Sequence, residues 1–249
     1  MNVLAVGHTA PYLESILSPT ALKQYEAISQ YLSRKWDEDS ALHPQLWEWN
    51  GCLEKLATAI LQIERLSNHQ NHLLTQAINN IIGRNASDAV FLASEVSSDS
   101  ESLLLQGRAA LDRLTNFISR HYGNYTDQFS KLQNVLQYSK KDENTDTILR
   151  IFEDIKWFEG TLMKDNLGEN LRSFVAHKQS IFEGLEEYFQ VHRLSQDKDQ
   201  VLLYDMQSRG VPFFQTAYEM GKNLSFVTLN ILALFTTGGS FCLDCYASN

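Results

Sequence analysis

Cysteine, proline and excess basic charge are scarce in this 249-residue chain, and each shortage excludes a class of protein. The three cysteines are too few and too unevenly spaced for the disulfide framework of a small secreted protein. Only four prolines occur, which favours long helices over the short strands of a sandwich or barrel. Since 43% of the residues are apolar and 20% charged, we expect a globular protein and not a disordered one.

Basic charge is not concentrated anywhere along the chain. The formal net charge of -9 is spread over both halves, and neither end is basic. A protein that neutralises many phosphates needs a local excess of lysine and arginine, so we expect no binding to duplex DNA. A small RNA site with one or two cations remains compatible with this composition.

Targeting and membrane signals are also weak. Residues 1–17 lack a basic segment and a sustained apolar run, so we expect no signal peptide. Residues 224–243 carry no charge, and both a membrane span and a buried C-terminal helix are compatible with them. Polar interruptions and the absence of a basic flank beyond Lys222 favour the buried helix. We therefore predict a cytoplasmic protein without a membrane span.

Helix signals dominate the pattern of residues. Ser18 followed by Pro19 is typical of a helix start, and this first amphipathic helix is expected to reach about Trp36. Pro44 begins a second helix, and Gly123 ends a later one. The expected core faces of these two are Leu53, Leu56, Ile60 and Ile63, then Leu104, Leu111, Leu114 and Ile118.

Turns and further helices complete the predicted all-α fold. A polar turn is expected at residues 97–100, and Thr145 is expected to cap a helix that ends near Lys164. Other helices are predicted at 125–138, 171–191 and 213–235. Residues 200–205 are the one strand candidate, so at most a short strand or hairpin is expected near 200–212. We predict an N-terminal helical extension at 1–86 and a helical bundle at 87–249.

The segment with the most chemical content places Arg172 five positions before His177. Arginine is always charged and presents a fork that fits a phosphate, whereas histidine titrates near neutrality and can move a proton. Together they suffice for metal-free cleavage of RNA, in which histidine assists the 2′-hydroxyl or the leaving oxygen and arginine offsets charge on phosphorus. Ser173 and Lys178 are the candidate substrate contacts beside them.

The spacing of the two residues limits how they can meet. Five residues of an α-helix leave the side chains about 140° apart, so the two cannot simply share one face. Either Arg172 lies in a turn before the helix, or a homodimer completes the site. The alternative is structural, with Arg172 paired to an acid such as Glu169 and His177 an ordinary half-buried residue.

This segment resembles the Arg-x(4–6)-His motif of the HEPN superfamily, which consists of small helical bundles. The residue after the arginine is typically polar in that family, often Asn or Asp, and here it is Ser173. The earlier segment 104–122, which contains Ala-Leu-Asp-Arg-Leu at 110–114, is similar to the first bundle helix of many such proteins. The resemblance covers about residues 87–236 and leaves 1–86 unexplained.

The resemblance implies two functions. One is a metal-independent endoribonuclease, of a toxin–antitoxin or phage-defence system, that acts as a homodimer with Arg172 and His177 as catalytic residues and an antitoxin as partner. The other is a bundle without catalytic activity that binds a nucleotide or a protein, since some members of the family have lost cleavage.

Metal and cofactor sites have weaker support. His69 and His72 lie at helical spacing, but no Glu-x-x-His element accompanies them, and we interpret both as surface histidines of a polar helix. Cys242 and Cys245 have the spacing of half a zinc site, and no second pair supplies the other two ligands. We expect neither a metal nor a cofactor.

Three tryptophans, Trp36, Trp47 and Trp49, lie close together in the sequence. Their rings could stack on bases or on a partner. Because their spacing is helical, we interpret them as core residues.

Overall fold

The computed structural model describes residues 11–78, 86–123, 126, 129–138, 142–153, 189–195, 198–203 and 213–236. The prediction of an all-α helical bundle is confirmed. The helices are α1 (Pro11–Ile16), α2 (Pro19–Glu38), α3 (His43–Ile78), α4 (Ala86–His121), α5 (Phe129–Tyr138), α6 (Glu143–Glu153) and α7 (Phe213–Thr236). One antiparallel hairpin, of β1 (Phe189–Ser195) and β2 (Lys198–Leu203), accompanies them.

Local capping sets several of the helix ends, as the sequence predicts. The Ser18 hydroxyl accepts a hydrogen bond from the backbone N–H of Ala21 at 3.1 Å, and Pro19 occupies the first helical position. Pro44 lies in the first turn of α3. Gly123 follows α4 with φ of 78°, a conformation that glycine adopts without steric cost.

The long helices α3 and α4 bury residues at alternating spacings of three and four. Such spacing has a period of 3.5 and is typical of helices that pack along their length. The predicted core face of α3 is confirmed, and the face on α4 begins earlier than predicted. The buried residues in this pattern are Leu46, Trp49, Leu53, Leu56, Ile60 and Ile63 on α3, and Val96, Ser100, Leu103, Gly107, Ala110, Leu114 and Phe117 on α4.

The predicted turn at residues 97–100 is wrong, because α4 runs unbroken through it. Polar side chains favour turns when they compete for backbone hydrogen bonds, but here they find partners within the helical structure. The Ser100 hydroxyl donates to the carbonyl of Val96 one turn earlier. Asp99 contacts α3 instead of its own backbone.

Polar bridges across the α3–α4 seam show that the two helices are antiparallel. Lys55 Nζ donates to Gln106 Oε1 at 2.8 Å. Glu48, earlier on α3, lies near Arg113, later on α4, and Arg65 lies near Asp99 at the other end. The start of α3 therefore lies beside the end of α4, as in an antiparallel pair.

Helix α7 completes the core against α2, α3 and α4. Two of its buried polar residues bond to their own helix, since the Ser225 hydroxyl donates to the carbonyl of Gly221 and the Asn230 amide to that of Phe226. The predicted burial is confirmed for the part of the apolar segment that lies in α7, whereas residues 237–243 lie outside the described residues. No described helix is long and apolar enough to cross a membrane.

The hairpin corrects two sequence predictions. Its strands lie at 189–195 and 198–203, whereas we expected a strand or hairpin near 200–212, and β1 overlaps the end of the helix predicted at 171–191. Phe189 pairs with Leu203 and Val191 with Val201. Cross-strand pairing satisfies backbone groups that a short isolated strand would leave unpaired, and this pairing is not visible in either segment alone.

The predicted domain boundary, between residues 86 and 87, lies at the start of α4, and residues 79–85, which connect α3 to α4, lie outside the described residues. Buried residues of α1 to α3 and of α4 to α7 form one hydrophobic cluster. Helices α1, α2 and α3 thus contribute to the same core as the rest of the described residues. The division into an extension and a bundle remains a prediction about folding units.

Candidate functional site

The predicted catalytic residues Arg172 and His177 lie outside the described residues, as do Ser173 and Lys178. All four fall between α6 and β1 in the sequence. Their catalytic and substrate-binding roles therefore remain predictions. Among the described residues, the side chains with the most chemical content lie at the two ends of the α3–α4 seam.

His69 forms the centre of the cluster at one end of this seam. Its Nε2 lies 3.0 Å from Asp99 Oδ2, and its Nδ1 lies 3.9 Å from Glu95 Oε2. Arg65 Nη1 donates to the other Asp99 oxygen at 3.4 Å. The interpretation of His69 as a surface histidine is wrong, because its side chain is only 16% exposed. Antiparallel packing places the carboxylates of α4 opposite it, which the sequence of α3 alone does not show.

Metal-ligating side chains do not cluster into a metal site in these described regions. Within the described part of the chain, no group of three or more His, Cys, Asp or Glu side chains could hold a metal ion. Cys52 is fully buried, and burial raises the pKa of its thiol, so it packs as a small apolar side chain. Cys242 and Cys245 lie outside the described residues.

A glutamate and two arginines form the cluster at the opposite end of the seam. Arg113 Nη1 lies 3.8 Å from Glu48 Oε2, and Arg120 Nη2 lies 4.0 Å from Glu48 Oε1. Both distances exceed a hydrogen bond, so these are loose ion pairs. A Cβ at Gly51 would lie 2.5 Å from Arg113 Nη1, which shows that the guanidinium lies directly against α3.

The contact of Arg113 with α3 is not evident from the sequence. There, Arg113 stands out only as part of a helix similar to one in HEPN proteins. The sequence does contain one local sign of this contact, since Gly51 lies one turn after Trp47 inside a segment that otherwise favours a helix. Only the packing of α4 on α3 shows which side chain uses the space that the glycine leaves.

The three N-terminal tryptophans differ in their surroundings. Trp49 is buried and meets Phe117 edge-on at 4.7 Å, and Trp36 stacks on His43 with ring centroids 3.9 Å apart. The prediction that they are core residues is confirmed for Trp49 and for the partly buried Trp36. It is wrong for Trp47, which is 50% exposed, so much of its ring remains accessible.

The start of α6 is capped by Asp142, so the prediction of Thr145 as the cap is wrong. The backbone N–H and the hydroxyl of Thr145 both donate to Asp142 Oδ1 at 2.7 Å, and Tyr122 Oη donates to the same oxygen at 2.9 Å. Thr145 Oγ1 accepts a hydrogen bond from the Asp142 N–H at 3.3 Å, which completes a reciprocal cap. Asp142 directly precedes the first residue of α6, and its side chain accepts the backbone N–H three residues later, as an N-cap residue does.

The capping bonds change the titration of both partners. Burial by itself would raise the pKa of Asp142, but hydrogen bonds from Thr145 and Tyr122 outweigh it and hold that pKa below its ordinary value. Burial, helped by the bond to Asp142, raises the pKa of Tyr122 to about 12. The phenol therefore keeps its proton as a donor across the neutral range.

We expect Asp142→Ala to lower the free energy of unfolding by about 1 kcal/mol at neutral pH, since a cap residue is lost. Because the folded pKa lies below the unfolded value, the carboxylate stabilises the fold above about pH 4 and this contribution disappears as the pH falls through the folded pKa. Urea titrations of both proteins between pH 2.5 and 7 measure the difference.

The control is Asp146→Ala, an exposed residue in the first turn of the same helix. We expect a change below about 0.5 kcal/mol there. Asp142→Asn, which caps without titrating, should retain most of the stability at both ends of the range. A difference between Asp142→Ala and wild type that grows on acidification would contradict this assignment.

The chain matches no family model, no curated protein and no solved structure. The resemblance to the HEPN superfamily therefore depends on the residues around Arg172 and His177 and on the earlier helix.

Proposed function

We propose that this protein is a HEPN-like, metal-independent endoribonuclease that acts as a homodimer in the cytoplasm. The observation that carries the proposal is the spacing of Arg172 and His177. Each is followed by a residue that could contact a substrate, Ser173 and Lys178. An all-helical architecture in the described residues is compatible with it. Membership of a toxin–antitoxin or phage-defence system, with an antitoxin as partner, belongs to the same proposal.

In the proposed reaction the 2′-oxygen of a ribose attacks the adjacent phosphorus and the bond to the 5′-oxygen breaks. His177 takes the proton of the 2′-hydroxyl or supplies one to the leaving 5′-oxygen. Arg172 stabilises the charge that develops on the phosphoryl oxygens. The products are a 2′,3′-cyclic phosphate and a 5′-hydroxyl, and no metal ion takes part.

We expect purified protein to cleave single-stranded RNA in the presence of EDTA, and His177→Ala to cleave at least about 100-fold more slowly. Denaturing gels and mass spectrometry of the product ends measure rate and chemistry. His72→Ala, which removes an exposed histidine of α3, serves as the control and should cleave as wild type does. If wild type cleaves no RNA in EDTA, or His177→Ala cleaves equally fast, the proposed reaction is wrong.

A second candidate function is a helical module that binds a nucleotide or protein partner without catalysis. The charge distribution favours it, because the net charge is -9 and two arginines of the seam helices lie against carboxylates, Arg65 at Asp99 and Arg108 at Asp112. A neighbouring gene for an antitoxin or small nucleotidyltransferase would support the nuclease. Binding of a partner by wild type and by His177→Ala alike, without RNA cleavage, would support the module.

A further inference from the structure

An exposed aromatic ring and two guanidinium groups lie at the end of the α3–α4 seam remote from His69. We call this the Arg113 surface, and it consists of Trp47, Glu48 and Gly51 on α3 with Arg113 and Arg120 on α4. It lies outside the segment that contains Arg172 and His177. None of its residues is needed for the proposed proton transfer.

The guanidinium of Arg113 is suited to contact a phosphate. At 3.8 Å from Glu48 it is held by charge and not by a hydrogen bond, so its N–H groups are not committed to that carboxylate. Its side chain is 38% exposed. Arginine presents a planar fork of donors that matches two phosphate oxygens, and Arg120 brings a second guanidinium to the same glutamate.

Gly51 makes this position of Arg113 accessible. A Cβ at residue 51 would meet Arg113 Nη1 at 2.5 Å and its Cδ at 3.0 Å, so the arginine would have to move. Glycine is a poor helix former in the interior of a helix such as α3. Gly51 therefore lowers the stability of the helix locally, but it allows the guanidinium to approach α3 closely.

Trp47 adds a group that can hold a base. It lies one turn before Gly51, and residues four apart occupy the same helix face. Half of its surface is exposed, unlike that of Trp49 in the core, and its ring lies next to that of Trp36 on α2, with centroids 6.4 Å apart. Exposed aromatic rings beside cations are the usual means by which proteins bind single-stranded nucleic acid without reading its sequence.

We propose that the Arg113 surface binds single-stranded RNA, with Arg113 and Arg120 on the phosphodiester backbone and Trp47 stacked on a base. Glu48 lies between the guanidiniums and holds them at this end of the seam. The choice of RNA rests on the proposed ribonuclease function, and the surface serves as a substrate-binding region separate from its catalytic residues.

The test measures binding of a fluorescein-labelled RNA of about 12 nucleotides by anisotropy, in EDTA and in a His177→Ala background. Arg113→Gln and Trp47→Ala are each expected to weaken binding at least about fivefold, since each removes one backbone or stacking contact. Gly51→Ala should weaken it by a smaller factor without changing charge, because the end of the Arg113 side chain must shift away from the new Cβ. Arg113→Lys should fall between Arg113→Gln and the parent, because it keeps the charge and loses the fork.

The control is Arg150→Gln, an exposed arginine on α6 whose loss changes the net charge equally. We expect it to alter affinity by less than about twofold at 0.15 M salt, where distant charges are screened. The proposal is overturned if the parent binds no RNA, if Arg113→Gln and Gly51→Ala bind as the parent does, or if Arg150→Gln weakens binding as much. Thermal melting of each variant confirms that it is folded.

Two further arms separate this proposal from others. If AMP or inorganic phosphate binds through Arg113 while RNA does not, the ligand is a free phosphate compound and the RNA assignment is overturned. RNA binding that depends on Arg113 in a protein that cleaves nothing retains the surface and removes the nuclease. Cleavage that depends on His177 but not on Arg113 retains the nuclease and removes the surface.

Discussion

Phe117→Ala is expected to lower the free energy of unfolding by about 3–5 kcal/mol. The Phe117 ring is 1% exposed and meets Trp49 of α3 edge-on at 4.7 Å and Phe235 of α7 edge-on at 4.8 Å. Its removal would leave a cavity at the point where α3, α4 and α7 meet. It would also remove two edge-to-face contacts, each worth about 1 kcal/mol beyond area burial.

Urea unfolding followed by circular dichroism measures this change. Tyr138→Ala is the matched control, because it removes an aromatic ring that is 87% exposed at the end of α5. We expect the control to change stability by less than about 0.5 kcal/mol. A loss below about 1 kcal/mol for Phe117→Ala would show that the three helices do not pack around this ring.

Leu229→Lys should destabilise the protein by about 5 kcal/mol or more, which approaches the whole stability of an ordinary domain. Leu229 is fully buried in α7, in the middle of the uncharged segment that the sequence left open between a buried and a membrane helix. Lysine at this position would lose its hydration among apolar side chains. We expect the variant to lose its cooperative unfolding transition.

The matched control is Leu105→Lys, at a leucine of α4 that is 39% exposed. There the ammonium group can reach water, so the change should stay within about 0.5 kcal/mol. Leu229→Ala, expected to cost about 2–5 kcal/mol, keeps the effect measurable if the lysine variant does not fold. A fully stable Leu229→Lys protein would contradict the burial of α7 in the core.

Much of the helical architecture follows from short-range patterns. The capping pair at Ser18 and Pro19, the core face of α3 and the end of α4 at Gly123 each depend on residues within a few turns of one another. Such signals act through local backbone geometry, so the sequence contains them directly. The same logic misplaced the start of α6 by three residues, because Asp142 and Thr145 are both good caps and only their hydrogen bonds tell them apart.

The candidate site residues also differ in whether their partners are near them in the sequence. Arg172 and His177 stand out because they are close in sequence, and their roles remain predictions. Arg113 did not stand out, since its partners Glu48 and Gly51 are more than 60 residues away along the chain. The spacing of apolar residues within α4 does not indicate that Arg113 contacts a glycine of α3.

By itself, the sequence determined that the described part of the chain is largely helical, where α2, α3 and α7 lie and which face of α3 is apolar, because these properties depend on neighbours within one or two turns. Only the tertiary structure decided that residues 97–100 stay helical, that His69 lies between helices and that residues 189–195 pair with residues 198–203. Each of those outcomes depends on hydrogen bonds or ion pairs with a partner supplied by another segment. Such partners become neighbours only when the chain has folded.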